Sequence, residues 1–244
     1  MRLSHCCLGL ALFCLLGLAG IPSGLAATEA EPEAGADLDE ETTAVEADPL
    51  AGWNRAMYTF NDRLYFWVLK PVAQGYGAVL PEGIRVSIRD FFRHLATPIR
   101  FLNCCLQGKV NEAGREVGRL MLNTTFGLAG FIDFAGRYED LPASDEDFGQ
   151  TLGAWGVGEG VFITWPVLGP CTLRDTFGLA GDALAYPPTY VSPALASVGI
   201  RTGEKVNDTS LTIGDYEALK DAALEPYTAV RDAYLQHRRD RVAQ

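Results

Sequence analysis

Between residues 147 and 175 the chain reads DFGQTLGAWGVGEGVFITWPVLGPCTLRD, and this stretch limits what the rest can fold into. Gly149, Gly153, Gly156, Gly158, Gly160 and Gly169 are interleaved with Phe148, Trp155, Phe162 and Trp165. Glycine lets the backbone reach positive φ and lets other groups approach closely, at a cost in chain entropy. The spacing predicts a tight, bulged hairpin or ridge rather than a helix. From residue 160 to 173 no side chain is charged. A helix that crosses a bilayer needs about 20 apolar residues, so this run is too short to span. It is also too apolar for a solvated loop, and must press against something oily.

The segments around it read as short amphipathic helices. Asp48-Pro49 opens the first, as N-cap and first helical residue. Leu50, Trp53, Met57, Phe60, Leu64 and Trp67 then recur at steps of three and four, an apolar stripe that Pro71 ends. Tyr58, Tyr65 and Phe66 widen the apolar arc. A second helix is expected over 81–97, with Ile84, Ile88, Phe91, Phe92 and Leu95 on one face and Arg85, Arg89 and Arg93 on another. An aromatic face opposite a basic stripe suits a helix lying in a membrane interface; it also suits a core helix with a solvated basic side. Pro98 breaks this helix, and an apolar run continues to Gly108.

A third helix is expected over 109–122, with Val110, Ala113, Val117, Leu120 and Met121 inward. Residues 172–185 predict a short helix. Residues 183–200 are uncharged but carry Pro187, Pro188 and Pro193, which exclude a spanning helix. Pro226 sits at the first position of a last helix. Tyr227, Val230, Tyr234 and Leu235 form one side, while Arg231, His237, Arg238, Arg239 and Arg241 load its later turns and complement the helix dipole. The fold class is mainly α, a single domain with one small hairpin.

Residues 1–26 read as an export signal: Arg2, an apolar run over 8–18, then small residues. Residues 27–48 hold nine acids and no base, so 27–47 is expected to be an acidic, disordered linker. The formal net charge is −11; without Arg2 and those nine acids, 19 bases face 22 acids, or −3. The remainder is nearly neutral and offers no basic face for nucleic acid. Export leaves Cys104, Cys105 and Cys171. They read as small buried hydrophobes, pairing of Cys104 or Cys105 with Cys171 being the one easy disulfide.

No catalytic constellation is legible. His94 and His237 lie far apart, and Cys104-Cys105 lacks the spacer of a zinc knuckle. No serine-nucleophile elbow occurs, and the glycines match neither nucleotide fingerprint. Asp145 with Asp147, and Asp175 with Asp182, read as solvated groups or caps, and Arg174-Asp175 as a local ion pair. The expectation is a protein that is not an enzyme, needs no metal or cofactor, and handles something greasy.

Several runs, in order, resemble the MlaA/VacJ family of outer-membrane phospholipid-transport proteins. They are DPLAGWNRAMYTFN (48–61), LNTTFGLAGFIDFA (122–135), residues 147–173 and PYTAVRDAYLQHR (226–238). The resemblance covers about 48–239 and implies, for a domain of 48–241, a ring of short amphipathic helices in the periplasmic leaflet of the outer membrane, with a central channel. It implies removal of misplaced outer-leaflet phospholipid and its delivery to a soluble periplasmic carrier, in association with a trimeric porin. It places a ridge at the glycine-rich stretch, which makes Trp155, Gly156, Gly158 and Phe162 candidates for the channel lining. A phospholipid head would meet Arg85, Arg89 or Arg174 while its tails lie along the aromatic surface. Family members carry a lipidated cysteine after a Leu-Ala-Gly-like site; here Leu18-Ala19-Gly20 is followed by Ile21, which predicts ordinary signal cleavage. The alternative classes are a structural, porin-accessory envelope protein that carries no lipid, and a membrane-active hydrolase, disfavoured by the missing nucleophile.

Overall fold

The computed structural model describes residues 48–244. The export-signal, linker and lipidation readings fall outside those residues. The described chain is mainly helical, with a single two-stranded antiparallel hairpin.

Helix α1 (Ala51–Leu64) runs without a break through a π-helical turn, Tyr65–Leu69, into α2 (Lys70–Val79). Pro71 therefore does not end the first helix, as its ring was expected to. It lies within the first two positions of α2, where the register has just been reset by the π turn and a missing N–H costs little. Asp48 caps a turn two residues early: its Oδ1 accepts from the Leu50 N–H at 3.1 Å, and regular helix begins at Ala51.

Helices α3 (Glu82–Leu95), α4 (Thr97–Leu106) and α5 (Val110–Thr125) follow, the first two meeting at Thr97-Pro98. After a loop containing a 3-10 turn (Ala135–Arg137) come α6 (Phe148–Ala154), strands β1 (Phe162–Trp165) and β2 (Gly169–Thr172), and α7 (Leu173–Ala185). The hairpin is in register with Phe162 opposite Thr172 and Trp165 opposite Gly169. The glycine-rich stretch is thus half helix and half hairpin. Its first glycines serve close packing instead of a turn: a Cβ on Gly178 of α7 would lie 2.6 Å from the backbone nitrogen of Gly149 on α6. A second 3-10 turn (Pro187–Tyr190) leads to α8 (Ala194–Leu211), α9 (Asp215–Ala222) and α10 (Pro226–Ala243). Helices α8 and α9 have no strong apolar period, and the sequence reading missed both. Pro226 does open α10.

On α10 the expected side does face in, with Tyr227 and Leu235 buried, but on α5, Ala113 apart, and on α1 the expected orientation is reversed. On α5 the buried residues are Ala113, Glu116, Arg119 and Asn123. Val110 and Met121, read as inward, are 76% and 65% exposed, and Val117 and Leu120 are also outside. The α1 stripe behaves alike: Trp53, Phe60 and Trp67 are exposed while Asn54 is completely buried. The apolar core is small, Phe162, Tyr227 and Leu235 with Tyr58 and Tyr234 against it. Among the described residues, buried polar and charged side chains outnumber buried apolar ones. Periodicity finds an amphipathic stripe but not which medium it faces. Large outward apolar surfaces mark faces that meet a membrane or a partner. No helix among the described residues is long and apolar enough to cross a membrane.

Candidate functional site

The polar interior is built by side chains on facing helices. Helix α8 brings Asn207, fully buried, against α2 and α3: its Oδ1 accepts from Tyr76 Oη at 3.0 Å and its Nδ2 donates to the Arg85 carbonyl at 3.0 Å. Arg85 Nη1 donates to the Ser210 carbonyl at 2.7 Å. On α5, Glu116 accepts from Arg100 Nε at 2.9 Å and from the Ser144 N–H at 2.8 Å, while Arg119 Nη2 donates to both oxygens of Asp133 at 2.8 Å. Several buried polar atoms have no partner within the protein: Arg85 Nε, Arg89 Nε, His94 Nδ1, Arg119 Nε, Arg174 Nη2 and Asp208 Oδ1. Buried polar atoms demand partners, so this interior suits polar company.

A second polar knot locks α6, α7 and α10 together. Arg238 of α10 donates four bonds: Nε to Asp175 Oδ2 at 3.0 Å, Nη2 to Asp175 Oδ1 at 2.9 Å, and Nη1 and Nη2 to Asp147 at 2.6 and 2.9 Å. Tyr234, one turn earlier on α10, donates to Asp175 at 2.8 Å. Asp147 also caps α6, accepting from the Gln150 N–H at 2.8 Å. Burial pushes the Asp175 carboxyl up, but the bonds and charge of Arg238, with those from Tyr234 and Thr172, outweigh it and hold it at about 2. Asp182 has the opposite balance. Burial and then the Asp147 charge push it up to about 6, although it accepts from Asn103 Nδ2 at 3.1 Å and the Phe148 N–H at 3.0 Å.

Arg238 and Asp175 are therefore not the solvated or dipole-complementing groups the sequence suggested; both are buried. The available signal was local. Tyr234 and Arg238 share a helix face, and Asp147 and Asp175 each sit at or near a helix start, where carboxylates find N–H donors. Arg174 and Asp175 do form the predicted adjacent pair, Nε to Oδ1 at 3.1 Å.

The structure does not bring the expected site residues together. Trp155 ends α6, is 55% exposed, and donates from Nε1 to the Leu106 carbonyl at 3.1 Å. Gly156 and Gly158 follow on an open loop where an added Cβ would meet nothing. Phe162 is buried in the apolar core, and its carbonyl accepts from Asn54 Nδ2 at 3.1 Å. Arg174 is buried in its ion pair. Arg85 belongs instead to the α3–α8 contact, and the charge of Arg89 acts on Asp208 of α8. Asn54 and Asn61, which lie off the apolar stripe of α1, fasten the hairpin to that helix. Asn61 Nδ2 donates to the Trp165 carbonyl at 2.9 Å, and its Oδ1 accepts from the Val167 N–H at 2.7 Å. Cys104, Cys105 and Cys171 are free thiols, with Cys105 exposed. No cluster able to hold a metal ion occurs among the described residues.

Both the sequence and the fold are similar to those of known proteins. The chain is 37% identical over 193 residues to the intermembrane phospholipid transport system lipoprotein MlaA of Shigella flexneri, covering 78% of this chain and 76% of that protein. It is 32% identical over 208 residues to the protein of the same name from Haemophilus influenzae, covering 82% and 80%. A solved structure presented as the structural basis for maintenance of bacterial outer membrane lipid asymmetry superposes with a TM-score of 0.72 at 32% identity, over 81% of this chain and all of that one. The profile of the MlaA lipoprotein family matches residues 46–241, and the chain belongs to that family.

Proposed function

We propose that this chain transports phospholipid at the outer membrane, removing molecules misplaced in the outer leaflet and passing them to a soluble periplasmic carrier. The observation that carries this reading is the reversal of its helix faces. Apolar stripes on α1, α4 and α5 point outward, where leaflet hydrocarbon would solvate them, while carboxylates, guanidiniums and amides face inward. A helix with a large apolar face lies in the membrane interface, and backbone or polar groups at that depth are tolerated where they line a wet cavity. The names of the relatives support the same role.

In this proposal the helices close into a ring in the periplasmic leaflet around a channel. Trp155, Gly156, Gly158 and Phe162 build its ridge, and a trimeric porin holds the ring in place. Arg89, whose Nε is buried without a protein acceptor, offers the phosphate an unspent donor. Arg85 and Arg174 are already engaged with Ser210 and Asp175, and set the charge of the wall. No step here needs a cofactor. Deleting the chain from its own cell should cause phospholipid to accumulate in the outer leaflet, measurable by outer-leaflet-specific labelling. Unchanged leaflet composition with a disturbed porin complex would replace this reading with that of a porin accessory. Neutralising Arg85, Arg89 and Arg174 together should slow lipid release; unchanged release would remove them from the lipid path.

A further inference from the structure

A cleft of about 140 Å³ opens between α1, the hairpin and the α9–α10 region, lined by Tyr58, Tyr65, Phe162, Pro170, Tyr216, Tyr227 and Val230, with Asn61, Asp62 and Arg231 at its edges. Four tyrosines invite the idea of a polar or cationic guest, but their hydroxyls are already committed. Tyr216 Oη donates to Asp62 at 2.8 Å and lies 3.2 Å from Tyr58 Oη. Tyr65 Oη donates to Glu217 at 2.9 Å, and Tyr227 Oη to Asp48.

The charged groups are engaged as well. Asp62 is neutralised by Lys220 at 2.8 Å and Arg231 by Asp232 at 2.9 Å. The Asn61 amide is used on both sides by the hairpin backbone. What remains for a guest is ring face, ring edge and aliphatic carbon. A headgroup entering here would lose its water and gain few new partners, whereas hydrocarbon would gain by burial, roughly 0.8 kcal/mol per methylene.

The surroundings say where such hydrocarbon comes from. The hairpin turn just before Gly169 and Pro170 exposes Val167 and Leu168, 68% and 70% accessible. Asn61 ties this turn to α1, and further along that helical run Trp67 and Val68 are exposed too. The outward apolar surface therefore runs to the lip of the cleft.

We propose that this cleft is an acyl-chain subsite, receiving the end of one hydrocarbon tail while the lipid head stays in the polar interior. The site rests on the phospholipid-transport reading and adds to it a place for the tail, built by Tyr58, Tyr216, Tyr227 and Val230. The hairpin forms one wall, so its Asn54 and Asn61 anchors set the width.

The test uses the full chain reconstituted in phospholipid vesicles with photoreactive lipids. One probe carries a diazirine at the terminal carbon of an acyl chain, a second carries it on the headgroup amine, and a third is a free fatty acid with a terminal diazirine. The chain-terminal lipid should label peptides holding Tyr58, Pro170 and Val230 at least 5-fold more than the headgroup probe does. Val230→Trp, which fills the cleft, should reduce that labelling at least 5-fold and leave labelling elsewhere unchanged. The wild-type comparison needs no variant and stands if V230W misfolds. Equal labelling by the fatty acid would show that a tail alone suffices, and labelling by the phospholipid only would make the diacyl lipid the occupant; both support the subsite. Preferential headgroup labelling, or tail labelling untouched in folded V230W, would overturn it. Tail labelling in a protein that transfers no phospholipid would leave the cleft standing and sink the transport reading; transfer without labelling would do the reverse.

Discussion

Replacing Arg238 by methionine removes the one cation that holds two carboxylates on two different helices. Its guanidinium makes four charge-assisted bonds, two to buried Asp175 and two to Asp147. Removing one partner from a buried ionic cluster costs up to about 3–5 kcal/mol, and here Asp175 keeps Arg174, Nε to Oδ1 at 3.1 Å, which lessens the loss. The Asp147 side chain is 31% exposed and can recover water, so the low end, about 3 kcal/mol, applies. R238M/D175N removes the Asp175 carboxylate as well, and with D175N alone the double-mutant cycle should show coupling of about 2 kcal/mol. Urea unfolding in detergent at pH 7, followed by tryptophan fluorescence, measures all three variants. The pH dependence supplies an internal check. Asp175 is held at about 2, below its ordinary 3.8, so it stabilises the fold above about pH 4 and that contribution is lost as pH falls towards 2. In R238M the acid-labile contribution should shrink. A loss below about 1 kcal/mol, or strict additivity with D175N, refutes the knot as a structural keystone.

Asp182 should behave oppositely: its carboxyl is raised to about 6, so its favourable contribution is complete below about pH 4 and lost as pH rises through 6. D182N, which keeps a carbonyl for Asn103 and Phe148, should therefore stabilise by about 1.5–2 kcal/mol at pH 7 after discounting for solvent, with no gain at pH 4; a lower Tm at pH 7 would contradict this. G178A should cost about 1–3 kcal/mol because its Cβ would stand 2.6 Å from Gly149 N, whereas in G118A the Cβ meets only Leu141 at 3.7 Å; paired thermal melts of equal size would count against close α6–α7 packing. Val167 holds φ +70 in the hairpin turn, so V167G should stabilise by about 0.5–1 kcal/mol. Faster amide exchange across β1 and β2 in V167G would argue against that strain.

Much of the helix inventory was legible. The steps of three and four in α1, α3 and α5, and Pro226 at the start of α10, are local signals that tertiary structure did not override. Pro71 misled because a π turn ahead of it absorbs the lost register. α8 was invisible for a different reason: ALASVGIRTGEKVNDTSL carries no sustained apolar stripe, and Asn207 and Ser210 earn their burial from partners over a hundred residues away. The face error on α5 is the most informative. VNEAGREVGRLMLNTT has a clear polar side, and in water Glu116 and Arg119 would face out. They face in, where Arg100, Ser144 and Asp133 partner them, and the proposed leaflet setting gives the other side an apolar medium to meet. The site was legible only in part: the aromatic-glycine stretch marked the hairpin, but Arg238 looked like one of several surface arginines until Asp147 and Asp175 were brought to it.

The central claim, that the apolar faces meet lipid, is tested most directly by nitroxide side chains placed singly at Val110, Met121 and Leu195, which are 76%, 65% and 80% exposed. In vesicle-reconstituted protein, all three should relax strongly with dissolved oxygen and scarcely with a water-soluble nickel chelate. Free access of the nickel chelate at all three positions would place these faces in water and contradict the account.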